Sequence, residues 1–155
     1  MRKPLFVALC VLVLGTAALA EKYETKWHCT KAAENPTLQV GDVPDHTYGL
    51  AKGTCDVKSS ASGEKSGAWI EFEEMWKASY ALHGHFNVTL ADGDMVYYKY
   101  ERSGPKDEKK LLNKWKVEGG TGKHKDMKGS GTCTGTFNDD GTSDWECSGT
   151  TSMGK

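Results

Sequence analysis

The stretch Cys133-Thr134-Gly135-Thr136-Phe137-Asn138-Asp139-Asp140-Gly141-Thr142-Ser143-Asp144-Trp145-Glu146-Cys147 restricts the fold more tightly than any other part of this chain. With Asp139-Asp140-Gly141 as a three-residue loop, Gly141 supplies the positive φ that such loops need. Cys133 then faces Cys147, Gly135 faces Trp145 and Phe137 faces Ser143. One face of the ribbon carries both cysteines, Phe137 and Trp145. The other carries Thr134, Thr136, Thr142, Asp144 and Glu146. Counted outward from the closing pair Asn138/Thr142, the cysteines occupy a non-hydrogen-bonded site, where opposing Cα atoms approach most closely. A disulfide between them is geometrically sound. The chain is therefore expected to be an oxidised antiparallel β protein with one buried and one solvated face.

The N-terminus agrees with an oxidising compartment. Arg2 and Lys3, the apolar run over residues 5–14 and Ala18-Leu19-Ala20 read as a charged start, an apolar middle and an A-x-A cleavage site. The run is too short to span a bilayer. A signal peptide over residues 1–20, cleaved near Ala20, and one domain over 21–155 follow, with a secreted or periplasmic product. Cys10 lies inside the apolar run, far from the cleavage point, so a lipidated cysteine is not indicated.

Residues 21–155 hold four cysteines. Because the hairpin pairs 133 with 147, Cys29 is left to pair with Cys55. The first bridge closes a loop of about 15 residues, worth roughly 3 kcal/mol in the chain-entropy picture. The C-x₂-C spacing of zinc sites is absent. Without residues 1–20 the chain carries 18 basic and 21 acidic residues. With no basic cluster interleaved with aromatics, a nucleic-acid partner is not expected. The mixed-sign run Lys106-Asp107-Glu108-Lys109-Lys110 reads as a solvated loop.

Period-two alternation runs through most of residues 21–155, and no long stretch has helical periodicity. In residues 79–90 the even positions are apolar apart from Gly84. After the turn signal Asp92-Gly93, residues 95–101 again place even positions inward. A loop over residues 92–94 would set Phe86 against Tyr100 and Val88 against Tyr98, keeping both apolar sets on one face. Upstream, Ile70, Phe72 and Trp76 share a face that reads as inward; downstream, Trp115 and Val117 do the same. Strands are expected near 23–30, 48–57, 66–77, 79–90, 95–102, 110–118, 127–137 and 142–151. Eight consecutive strands with short turns suit an up-and-down barrel or a sandwich. The barrel is preferred because closure removes exposed strand edges.

The segment Glu118-Gly119-Gly120-Thr121-Gly122-Lys123-His124-Lys125-Asp126-Met127-Lys128-Gly129-Ser130-Gly131-Thr132 resembles the G-G-T-G-K-aromatic-x-G-apolar-x-G-x-G pattern of the allene oxide cyclase and dirigent-like barrels. It also resembles small secreted bacterial proteins of unassigned function. The resemblance implies an eight-stranded antiparallel, calycin-like barrel. His124 stands where that pattern has an aromatic residue and Asp126 where it has glycine. No motif matches the cyclase catalytic residues, so no activity is carried over. Read from its residues alone, the segment is a corner between two strands where glycines permit bulges. A dinucleotide loop would require a helix after it.

Candidate chemistry is sparse. Glu74 is in phase with Ile70, Phe72 and Trp76; pointing inward it would be a desolvated carboxylate, a candidate catalytic acid or base. A bulge at Glu73-Glu74 would instead send it to solvent. His83 and His85 share the outer face of their strand and are candidate metal ligands only as a surface pair. His28 and His46 are isolated in sequence. Asn87-Val88-Thr89 fits the N-glycosylation pattern, and no G-x-S-x-G elbow is present.

Three functional readings fit. The first is a binding module whose lumen, lined by Phe72, Trp76, Phe86, Tyr98 and Tyr100, takes one small apolar or aromatic ligand. The second is a cyclase or isomerase using an inward carboxylate. The third is a structural or inhibitory protein with a solid barrel. The binding module is the expectation, with no cofactor. The 5 Trp, 6 Tyr and 4 Phe fill much of a small barrel, so any cavity should be small and lie near one mouth.

Overall fold

The computed structural model describes residues 20–33 and 36–154. The expected signal peptide lies outside the described residues except for Ala20. Nine strands follow in order: β1 Glu21–Cys29, β2 Thr37–Gln39, β3 Thr47–Ser60, β4 Glu64–Met75, β5 Ser79–Leu90, β6 Met95–Pro105, β7 Leu111–Gly120, β8 Lys128–Phe137 and β9 Ser143–Ser152. A single 3-10 turn, Gly122–His124, is the only helical element among the described residues.

The eight long strands pair antiparallel in the order β1-β9-β8-β7-β6-β5-β4-β3, and a β1–β3 pairing closes the ring. This is the expected barrel. The unforeseen ninth strand, β2, lies along the start of β3, with Leu38 opposite Tyr48. Three residues are too few for alternation to register in sequence. β1 covers only the later half of β3, from Cys29↔Cys55 to Thr25↔Ser60. β2 takes up edge groups on the earlier half.

Call the upper end the one formed by the β4–β5, β6–β7 and β8–β9 connections and the end of β1. The lower end carries the β3–β4, β5–β6 and β7–β8 connections. The lower half is solid: Val88, Val96 and Val117 are almost fully buried, with Leu90 and Met127 packed beside them. Tyr23 and Tyr98 lie above this plug, their rings 6.1 Å apart.

The β8–β9 register is the one expected, with Cys133↔Cys147, Gly135↔Trp145 and Phe137↔Ser143. Asn138 N donates to Thr142 O at 2.9 Å, Gly141 N donates to Asn138 O at 3.0 Å, and Gly141 has φ +84°. Asp140 Oδ1 accepts from Thr142 N at 2.9 Å, steadying the turn. Both disulfides, Cys29–Cys55 and Cys133–Cys147, join residues directly opposite on neighbouring strands, with Cα atoms 4.0 and 3.9 Å apart.

The β5–β6 hairpin repeats this loop. Leu90 N donates to Asp94 O at 2.9 Å and Gly93 N to Leu90 O at 3.0 Å, with φ +89° at Gly93. The loop is thus residues 91–93, not 92–94. Phe86 faces Tyr98 and Val88 faces Val96, two residues away from the expected partners. An even shift keeps every side chain on its original face, so the inward set was still correct.

Strand β4 corrects the sequence reading more seriously. Ile70 and Phe72 are 38% and 49% exposed on the outer face, while Gly67, Trp69 and Glu71 face the lumen. β4 carries large apolar side chains on both faces, so apolar content alone cannot set its phase. Steric fit to its neighbours does: Gly67 lies under the Phe86 ring, and the Trp69 ring lies over Gly53. No bulge occurs at Glu73-Glu74; the pairing with β3 and β5 runs through both residues without interruption.

Candidate functional site

The upper half of the barrel is hollow. A cavity of about 110 Å³ is walled by aromatic side chains and by both disulfides, with Phe137 at its rim. Its floor is Tyr23, Tyr98 and Trp115, whose rings meet edge to face or tilted at 5.0 to 6.1 Å. Why a lumen so rich in rings stays open follows from the cross-strand pairs. Trp69 faces Gly53, Tyr100 faces Gly84, Trp115 faces Gly131 and Trp145 faces Gly135. Each ring lies against the glycine beside it, at distances that leave no room for a Cβ. The rings thicken the wall and leave the centre free.

Polar groups collect in the upper part of this pit. Glu71 on β4 accepts a hydrogen bond from the Tyr100 hydroxyl on β6 at 2.8 Å. Burial pushes the Glu71 carboxyl up to about 7, against the lowering effects of Tyr100 and of the Arg102 charge. Such a group exchanges its proton near neutrality. Burial, and then the neighbouring Glu71, push the Tyr100 hydroxyl far above the usual phenol range. Arg102, two residues further along β6, is 8% exposed. Its guanidinium lies over the rings of Tyr80, Trp145 and Phe137, at 5.3, 5.4 and 5.9 Å from their centroids. Arg102 Nε, Asn113 Oδ1 and the indole nitrogens of Trp27, Trp69 and Trp115 are buried without a hydrogen-bond partner. All five residues line the pit.

Of the residues expected to line the lumen, Phe86, Tyr98 and Tyr100 do so. Phe72 and Trp76 do not. Phe72 stacks on His83 outside the barrel, with centroids 5.5 Å apart. Trp76, just past the end of β4, stacks on His46 at 5.2 Å. The candidate acid Glu74 is likewise on the outer side. It accepts from His46 Nε2 at 2.9 Å and from the Tyr48 hydroxyl at 2.8 Å. His46 Nδ1 donates to Asp42 Oδ1 at 2.6 Å. With both carboxylates ionised, acceptors on both ring nitrogens favour the imidazolium, and the hydrogen bonds to Asp42 and then Glu74 raise His46 above its usual value. His46 is therefore not isolated: it clips the segment before β3 to the end of β4.

His83 and His85 lie on the exterior, as their phase predicts. His85 Nδ1 is 3.3 Å from Glu118 Oε2, a carboxylate the sequence reading did not place there. One other group of metal-ligand type occurs among the described residues, with Asp92, Asp94 and His124 offering atoms within 4.8 Å of one another. There Asp92 already pairs with Lys123 at 2.6 Å, and Asp94 accepts from Thr121.

Glu71, Arg102 and Asn113 belong to no sequence motif. Arg102 carried a usable signal, because it continues the even phase of Tyr98 and Tyr100. Glu71 was hidden by the misread phase of β4. Asn113 is in phase with Trp115 and Val117.

No family model matches the chain, and no curated protein matches it. Among solved structures, the chain is similar to the pterocarpan synthase dirigent protein GePTS1, with a TM-score of 0.53 and 12% sequence identity. The match covers 97% of this chain and 98% of that one. A likeness at that identity concerns backbone architecture alone. Taken with the closed eight-stranded ring, it makes the fold of this chain a dirigent-like β-barrel.

Proposed function

We propose that this chain is a binding protein that holds one small, largely aromatic molecule in the upper pit of its barrel. The observation that carries the reading is the glycine-backed aromatic wall, which keeps the upper lumen open while the lower lumen is packed solid. A hollow of roughly 150 Å³ in a protein core is enough for a benzene-sized guest. The pit is smaller, at about 110 Å³, but open at its mouth, so it suits a single ring that is only partly enclosed, with its substituents near the rim. Secretion is part of the proposal, supported by the N-terminal pattern and by the two disulfides. The outer histidines are assigned no metal role in this reading, and neither Glu74 nor Phe72 is assigned a role in the site.

The test is native mass spectrometry after incubation with a set of single-ring aromatic metabolites. Retention of one guest per chain, weakened in Gly53→Ala, where the added Cβ would lie 2.7 Å from Trp69 Cζ2 and press that ring into the pit, is the expected result. A chain that retains none of the set under gentle ionisation overturns the reading.

A further inference from the structure

The pit has an unbalanced inventory of hydrogen-bonding groups. Four of its five partnerless buried atoms are N–H donors: Arg102 Nε and the indole nitrogens of Trp27, Trp69 and Trp115. Only Asn113 Oδ1 is an acceptor. An unpaired buried donor is costly, and a buried cation without a counter-ion more so. Arg102 is 8% exposed, faces three aromatic rings and forms no ion pair with a described residue.

The nearest acidic candidate inside the barrel does not cure this. Glu71 is engaged by the Tyr100 hydroxyl at 2.8 Å, and its burial favours the neutral carboxyl despite the charge of Arg102. Glu108, at the mouth, receives the Tyr80 hydroxyl at 3.4 Å. The guanidinium is thus held by ring faces, which orient it while leaving its N–H fork free to meet a planar anion.

We propose that the pit is a receptor for a small aromatic carboxylate, with the carboxylate on Arg102 near the mouth and the ring lowered toward Trp27, Phe86 and Trp115. The proposal rests on the reading of the pit as a binding site and adds the charge and polarity of the guest. A ring oxygen or carbonyl would further suit the indole donors deeper in the pit. A cationic or purely hydrocarbon guest would leave every one of these donors unpaired.

The probes are benzoate and benzyl alcohol, which share a ring and differ in charge, titrated into the purified chain at pH 6 by calorimetry. Benzoate is expected to bind at least about tenfold more tightly than benzyl alcohol, the margin of one charge-assisted contact. On the same sample, nitrogen NMR should show the Arg102 Nε–H resonance shifting as benzoate is added. In Arg102→Gln the preference for benzoate should vanish while benzyl alcohol binding persists. Arg102→Lys, which keeps the charge but not the fork, should retain part of the preference if the glutamine variant folds poorly. Equal affinities in the unaltered chain overturn the carboxylate assignment and leave the aromatic pit standing. Failure of both probes to bind overturns the binding reading itself, and this proposal with it.

Discussion

Tyr100 donates its hydroxyl to the Glu71 carboxyl across 2.8 Å, two neighbouring residues of the lumen that come from strands separated by β5. Their contact fixes a titratable group within the wall of the pit.

That group should govern part of the pH dependence of stability. Burial raises Glu71 from 4.5 in the unfolded chain to about 7. The folded chain therefore binds this proton more tightly. The stabilisation is fully present below about pH 4.5 and is lost as the pH rises through about 7, an effect on the order of 3 kcal/mol. Glu71→Gln mimics the protonated carboxyl at every pH. Thermal midpoints of the two proteins should coincide near pH 4 and diverge toward pH 8, with the variant the more stable. Parallel curves over that range would contradict the assignment.

The His46 clip should respond in the same sense by a different route. The hydrogen bond to Asp42, and then that to Glu74, push His46 above its usual 6.5. Its contribution is complete below 6.5 and fades as the pH climbs through the raised value. Hydrogen exchange at the Val40 amide, which donates to His46 O at 3.0 Å, reports on it. After correction for intrinsic rates, protection should fall from pH 6 to pH 9. In His46→Ala it should be low at both.

Each disulfide can be tested by removing one sulfur. Cys133→Ala should lower stability by roughly 3 kcal/mol and leave Cys147 reactive toward a thiol reagent. Cys29→Ala acts at the β1–β3 seam, where only the later half of β3 is paired to β1. Its expected signature is faster exchange along β1 and β3 with β6 and β7 unchanged. Uniform loss of protection across all strands would show that the seam is not a local unit.

The glycine-backed wall makes a steric prediction. A Cβ at Gly53 would lie 2.7 Å from Trp69 Cζ2, so Gly53→Ala must push that ring toward the lumen. A destabilisation of about 1–3 kcal/mol is expected, with weaker uptake of any guest of the pit. Urea unfolding and a ring-sized probe measure the two effects. Unchanged stability would mean that the wall yields outward instead.

How much of this was legible in the chain depends on the range of the interaction concerned. The β8–β9 register was readable because glycine at the third loop position and two facing cysteines specify it locally. The β5–β6 register was missed by two residues because the same loop rule was applied with Gly93 at the second position. In both observed hairpins the aspartate before the glycine accepts from the amide after it. Strand β4 was misread because its inner face is set by neighbours: Trp69 needs Gly53, and Gly67 accommodates Phe86. The His46–Glu74 contact spans 28 positions and belongs to no motif.

The packed lower half has one further consequence. With Val88, Val96 and Val117 sealing the far end, the barrel is a cup and not a conduit: whatever goes in must come back out past Phe137. For the guest proposed above, exchange kinetics would therefore be set at a single doorway, and substitutions among the connections that frame it would retune loading and release while the base of the vessel stays unaltered.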